Sequence, residues 1–441
     1  MQKTVAFHTL GCKLNFTDTS AIAKQFVEAG YNRMAFEQVA DVYVVNTCSV
    51  TENADKECKS IINKIQRQAP EALVVITGCY AQLKPNYIAE IPGVDLVIGA
   101  NAKFNIVEHV KNITQKGNAQ VQACDIDTVE NFVAAQSDDE RTRVFLKVQD
   151  GCNYTCSFCT IPLARGHSRS DEIENIIARI KTSIKKGAKE IVLAGVNTGD
   201  FGIDPQTKKR THTLLDLLQA IENENFDIRF RTSSIEPNLL TDEIIELIAT
   251  SNVFMPHFHI PLQSGSDKML KSMRRRYLTD LYTARVSHIR KLIPHACIGV
   301  DVITGFAGED ETDFIDTYNY LHQLDISYLH VFTYSERAET HAITLGNVVP
   351  MHIRKARTQK LRMLSHQKQM QHYAQHIGDN RPVLFESGNK RNATIEGFTD
   401  NYIKVSHAFD HSFINSVVDC NLIGINENND MTVTIQQTIL V

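Results

Sequence analysis

The chain has 441 residues, 43% of them hydrophobic and 22% charged, which is enough apolar material to bury real cores and suggests two to four domains. A formal net charge of -5 excludes a protein that is basic all over and leaves room only for local cationic patches of the kind that meet nucleic acid. The segment Met1 to Cys12 lacks the apolar stretch of a signal peptide or membrane helix, so a cytoplasmic protein with no membrane partner is expected, and ten cysteines in that reducing compartment point to metal rather than to disulfides.

Along the first hundred residues, short apolar runs alternate with amphipathic stretches. Val5-Ala6-Phe7 is followed by a helical pattern to Ala29, then by Val42-Tyr43-Val44-Val45, a second helical stretch, Leu73-Val74-Val75-Ile76 and Leu96-Val97-Ile98. The pattern predicts a parallel α/β domain over residues 1–118. Residues 119–141 turn polar and acidic, as in Gln136-Ser137-Asp138-Asp139-Glu140, and read as a linker. From 142 to 376, strands are expected at Val144–Val148, Glu190–Leu193, Ile228–Thr232, His257–Pro261, Cys297–Thr304 and Tyr328–Thr333. Alternating with helices, they suggest a partial β/α barrel. Its last helical stretch, Met351 to Ile377, carries Arg354, Lys355, Arg357, Lys360, Arg362 and Lys368 without an acid. A solvated helix and a nucleic-acid contact fit it equally. Residues 377–441 alternate in short runs split by Gly, Asn and Asp, which fits a small β-barrel.

Two groups of cysteines stand out. Cys152, Cys156 and Cys159 lie on one short loop directly after an expected strand. A closed zinc site or an electron-transfer cluster takes four protein ligands, whereas three thiolates leave one iron of a [4Fe-4S] cluster open to an exogenous ligand. Cys12, Cys48 and Cys79 are far apart in sequence, yet each follows the carboxyl end of an expected strand, and in a parallel sheet those ends share one edge. Three thiolates converging there could hold a second cluster. Cys58, Cys124, Cys297 and Cys420 lack such placement and read as structural.

The C-x3-C-x2-C loop, with the aromatic Phe158 before its last cysteine, resembles the radical S-adenosylmethionine superfamily. Together with Thr9-Leu10-Gly11-Cys12-Lys13-Leu14-Asn15, Val45-Asn46-Thr47-Cys48, Thr77-Gly78-Cys79, Gln149-Asp150-Gly151-Cys152 and Ile161-Pro162-Leu163-Ala164-Arg165-Gly166, it resembles the methylthiotransferase family over essentially the whole chain. Within that family, Gly11-Cys12-Lys13-Leu14-Asn15, the segment Ala164 to Ser170 and Gly397-Phe398-Thr399-Asp400-Asn401-Tyr402 are most similar to the enzymes that modify N6-threonylcarbamoyladenosine next to the tRNA anticodon.

The resemblance implies two [4Fe-4S] clusters, an auxiliary one on Cys12, Cys48 and Cys79 and a radical one on Cys152, Cys156 and Cys159, with a terminal barrel of the TRAM type. It implies S-adenosylmethionine against Phe158, Gly195, Gln263, Ser264 and Ile303. Arg165 is expected to face substrate or cofactor, with a structural salt bridge as the competing role. No catalytic residue is expected beyond the cluster ligands, because the cofactor carries the hard chemistry. The implied partners are the anticodon stem-loop of tRNA and an electron donor such as flavodoxin or ferredoxin, and nothing demands more than a monomer. Two other functions compete: methylthiolation of a ribosomal-protein aspartate, and a non-catalytic zinc-containing RNA-binding protein. The terminal barrel, with seven acids against three bases from Pro382 to Val441, favours a basic protein over phosphate, whereas Arg274-Arg275-Arg276, Lys208-Lys209-Arg210 and the acid-free helix favour RNA.

Overall fold

The computed structural model describes residues 2–49, 52–113, 115–137, 142–204, 206–389 and 393–436. The acidic end of the expected linker, 138–141, and two of the terminal barrel's bases, Lys390 and Arg391, lie outside the described residues.

The first domain is a six-stranded parallel sheet in the order β2-β1-β3-β4-β5-β6. Its strands are β1 (Thr4–Thr9), β2 (Asn32–Met34), β3 (Val42–Thr47), β4 (Leu73–Gly78), β5 (Leu96–Ile98) and β6 (Gln120–Gln122). Helices α1 (Lys13–Glu28), α2 (Glu52–Gln68) and α3 (Cys79–Leu83) follow β1, β3 and β4. All of β3 is buried, as a central strand covered on both faces requires. Tyr43 and Val45 pack with Ile62, Val74 and Ile76 on one side, and Val42 and Val44 with Val5, Ile22 and Phe26 on the other.

Two stretches of the expected linker are ordered against sheets. Gln120–Gln122 pairs parallel with β5 as the sixth strand. Ala135 and Ser137 exchange backbone hydrogen bonds with Lys147 and Phe145 of β7 (Arg143–Lys147), an edge strand whose free amides and carbonyls need partners.

In the second domain all six expected strands form: β7, β10 (Glu190–Ala194) and β11 (Arg229–Thr232) in one parallel sheet, and β12 (His257–His259), β13 (Cys297–Thr304) and β14 (Tyr328–Thr333) in another. A parallel bridge from Phe230 to Phe254 brings the two sheets into one open barrel. The short strands β8 (Gln149–Asp150) and β9 (Arg169–Ser170) pair antiparallel and frame the cysteine loop.

The helix Met351–Ala374 divides its six basic residues, because three of them are structural and neither reading applies to those three. Arg354 is buried on the carbonyls of Val349 and Tyr334, Arg357 pairs with Glu309 and Glu311, and Lys368 donates to the carbonyls of His322 and Leu324. Its acids are supplied by other elements, which is why the helix itself has none. Lys355, Lys360 and Arg362 remain exposed.

Residues 380–435 form a closed five-stranded barrel in the order β15-β16-β17-β19-β18, from β15 (Asn380–Asn389), β16 (Thr394–Thr399), β17 (Lys404–Ala408), β18 (Ser416–Ile425) and β19 (Met431–Ile435). It is fixed to the second domain through Arg229 and Arg231, which donate to the carbonyls of Pro382, Phe398, Thr399 and Asp400. No described helix is long and apolar enough to cross a membrane.

Candidate active site

The carboxyl ends of β1, β3 and β4 lie in register, Thr9 beside Asn46 and Thr47 beside Gly78, so Cys12, Cys48 and Cys79 emerge at one edge of the first sheet. Side chains tie the three loops together. Asn15 Nδ2 donates to the carbonyls of Leu10 at 2.7 Å and Thr47 at 3.0 Å, and Thr47 Oγ1 donates to the carbonyl of Thr77 at 2.5 Å. Gly11 has φ +97°, and a Cβ there would stand 2.6 Å from that of Cys48, so only glycine lets the first two cysteine loops approach.

On the second domain, Gln149 Nε2 donates to the carbonyls of Asp150 and Gly151 and fixes the entry to the Cys152–Cys159 loop. The three sulfurs accept hydrogen bonds: Cys152 from the Tyr154 amide and Cys159 from the Ile161 amide, both at 3.4 Å, and Cys156 from Arg275 Nη1 at 3.0 Å. Burial pushes the thiols of Cys152 and Cys159 up to about 12. They therefore hold their protons unless a metal displaces them, as a coordinating metal does.

Both sets fit a polynuclear cluster better than one zinc ion. Among the described residues, only His259, Asp301 and His330 bring three ligand atoms within 4.8 Å of one another, so in each cysteine triad at least one pair of sulfurs is farther apart. Two thiolates on a single zinc cannot exceed twice the bond of about 2.3 Å, whereas a cuboidal cluster gives each thiolate its own iron.

Beside the second triad lies a cavity of about 220 Å³. Phe158, Gln263 and Ile303, three of the residues expected against S-adenosylmethionine, line it with Cys159, Asp301 and Tyr334. Gly195 and Ser264 stand elsewhere. The Ser264 hydroxyl is buried against Thr317 Oγ1 at 3.1 Å, and a Cβ at Gly195 would sit 2.8 Å from Gln149 Oε1.

Arg165 is buried between the two domains. It donates to Asp150 at 2.9 Å and to Asn15 Oδ1 at 2.6 Å, lies 3.3 Å from Asp18, and is within electrostatic reach of Cys79 and Cys12. The salt bridge expected as a competing role is thus present, and the guanidinium faces the first cysteine triad. Asp18 also accepts from Lys103 at 2.6 Å and Lys147 at 2.8 Å, so charges of both domains are compensated across their contact.

Arg275, read from sequence as one of a run of cations for phosphate, is instead buried on Cys156 and paired with Glu236. The polar wall of the open barrel also went unread: His259 Nε2 lies 2.8 Å from Asp301 Oδ1, with His330 beside them. His259 opened a polar run noted at a strand end, but the partners Asp301 and His330 come from two other strands.

Family models match twice: Uncharacterized protein family UPF0004 over residues 4–99 and Radical SAM superfamily over residues 146–321. The chain is similar to the threonylcarbamoyladenosine tRNA methylthiotransferase MtaB of Bacillus subtilis, at 38% identity over 94% of this chain and 92% of that protein. It matches the protein of the same name from Aquifex aeolicus at 37%, over 91% and 96%. A tRNA-2-methylthio-N(6)-dimethylallyladenosine synthase of Clostridium novyi is 32% identical over 80% and 79%. Among solved structures, the radical S-adenosylmethionine methyltransferase TsrM of Kitasatospora setae shares the fold, with a TM-score of 0.55 at 14% identity over 76% and 75% of the two chains.

Proposed function

The chain belongs to the radical S-adenosylmethionine methylthiotransferase family, and from that premise we propose that it converts N6-threonylcarbamoyladenosine in tRNA to the 2-methylthio derivative. The observation that carries the reading is 37–38% identity over more than nine-tenths of the chain with relatives named for that reaction, in a chain that carries two cysteine triads.

Cys152, Cys156 and Cys159 would hold the cluster that cleaves S-adenosylmethionine, and Cys12, Cys48 and Cys79 the auxiliary one. When bound, the first would supply the electron that cleaves S-adenosylmethionine and the second would supply iron and sulfur for the methylthio transfer. The chain's own residues orient and shield. Phe158, Gln263 and Ile303 wall the cavity for S-adenosylmethionine, Arg275 places positive charge on Cys156, and Arg165 locks the loop after Cys159 to the helix that follows Cys12. An adenine C2–H is too weak an acid for a side-chain base working near neutral pH, so no such base is needed. The radical cluster would need a one-electron donor, for which a flavodoxin or ferredoxin is proposed.

The acidic terminal barrel favoured a ribosomal-protein aspartate, but the full-length relatives are named for tRNA nucleosides. Mass spectrometry of tRNA nucleosides from cells with and without the protein tests the choice. Loss of 2-methylthio-N6-threonylcarbamoyladenosine with accumulation of its unthiolated parent is expected, and an unchanged profile would refute the reading. In vitro, Cys12→Ala should abolish methylthiolation while S-adenosylmethionine cleavage persists. Loss of both with the radical cluster intact would overturn the division of labour between the two triads.

A further inference from the structure

Lys13 follows Cys12 at the start of α1, yet its ammonium leaves the first domain. The charged groups that act on it are Arg143, Arg231, Glu190 and Asp301, and it acts in turn on His257 and His330. These six residues stand on β7, β11, β10, β13, β12 and β14, one on each strand of the open barrel, which places the ammonium in the barrel's lumen.

Neither lumen carboxylate makes an ion pair with it, because each is engaged by a nearer group. Glu190 is taken by Arg143 at 2.6 Å and Arg231 at 3.0 Å, and Asp301 by His259 at 2.8 Å. Lys13 has no ion pair or hydrogen bond among the described residues. A partly buried ammonium with no counter-ion in contact is costly unless a ligand supplies one. Asp301 also lines the cavity beside Cys159, so an anion on Lys13 would lie next to the space assigned to S-adenosylmethionine.

Resting on the function proposed above, we infer that Lys13 is the counter-ion for the carboxylate on the N6 side chain of the substrate adenine, and that the His259, Asp301 and His330 wall meets that side chain's hydroxyl and carbamoyl groups. An N6-threonylcarbamoyl group carries these polar functions, and a dimethylallyl group carries none. A lumen with an ammonium that no carboxylate contacts selects against the hydrocarbon side chain because binding it would leave the ammonium desolvated and unpaired.

The test uses the reconstituted full-length enzyme and two anticodon stem-loops, one with N6-threonylcarbamoyladenosine and one with its carboxyl methyl ester. The wild-type chain should show a KM at least about tenfold higher for the ester, with kcat less affected. Lys13→Met should raise the KM for the acid to that of the ester and abolish the difference, while Lys13→Arg should retain part of it. Iron and sulfide content are measured on every variant, so loss of the neighbouring cluster is recognised, and the wild-type comparison stands without any variant. Equal KM values for acid and ester in the wild type, or full discrimination in Lys13→Met with both clusters present, would overturn the assignment. A wild-type enzyme that transfers a methylthio group to neither stem-loop would instead refute the function on which the assignment rests.

Discussion

Arg275 shows what a cation beside a cluster is expected to do. Its guanidinium reaches Cys156 Sγ and is paired with Glu236, so its position is fixed and its charge only partly neutralised. Reducing a cluster adds negative charge, which a nearby cation favours. Arg275→Met should therefore lower the midpoint potential of the radical cluster by tens of millivolts, where about 60 mV corresponds to about 1.4 kcal/mol for one electron. Arg275→Lys should shift it less. Anaerobic redox titration followed by electron paramagnetic resonance checks this, and an unchanged potential in Arg275→Met would remove the residue from the cluster's electrostatics. The six cysteines were legible in sequence because thiols are few and their strand-end placement is visible from periodicity. Arg275, Lys13 and the His259–Asp301–His330 wall were not, because a polar side chain looks alike in sequence whether it meets solvent or a partner dozens of residues away on another element.

The same ambiguity governs the helix Met351–Ala374. Periodicity located it within a few residues but did not divide its cations, since the acids that bury Arg354 and Arg357 come from Glu336, Glu309 and Glu311. Arg357→Met strands Glu309, which is buried, and should cost about 3–5 kcal/mol of stability, the range for breaking one side of a buried pair. Lys355→Met and Arg362→Met, on the exposed face, should change stability by no more than about 0.5 kcal/mol. Urea unfolding of the three variants separates them, and equal effects would mean that Arg357 is not structural. Edge strands were the other blind spot. β2 and β6 have three residues each, too short for alternation to register, and they form because β1 and β5 present backbone groups that need partners.

At the scale of the whole molecule, stability should fall in two steps as pH drops, because two kinds of buried ionisable group hold the domains together. Burial, reinforced by His376 and Arg290, pushes His372 down to about 3, and burial with Arg231 and Lys13 lowers His257, which stacks on Tyr402 of the terminal barrel at 4.1 Å. Both are neutral in the folded chain and regain a pKa near 6.5 on unfolding. Below about 6.5 the unfolded chain thus binds protons that the folded one refuses, and stability declines by up to about 1.4 kcal/mol per pH unit for each histidine, while above that value this contribution is constant. The contact between the first two domains behaves differently. Burial opposes the charge of Asp18, but Lys103, Lys147 and Arg165 outweigh it and hold its pKa well below the carboxylate range, so its contribution is complete above about 4 and is lost only as pH falls further. Urea midpoints measured from pH 8 to pH 3 should therefore be flat, then decline from about 6.5, then steepen below about 4. His372→Gln should shrink the first decline and leave the second. A midpoint that stays constant between pH 6.5 and pH 5 would show that neither histidine is held neutral at the seat of the terminal barrel.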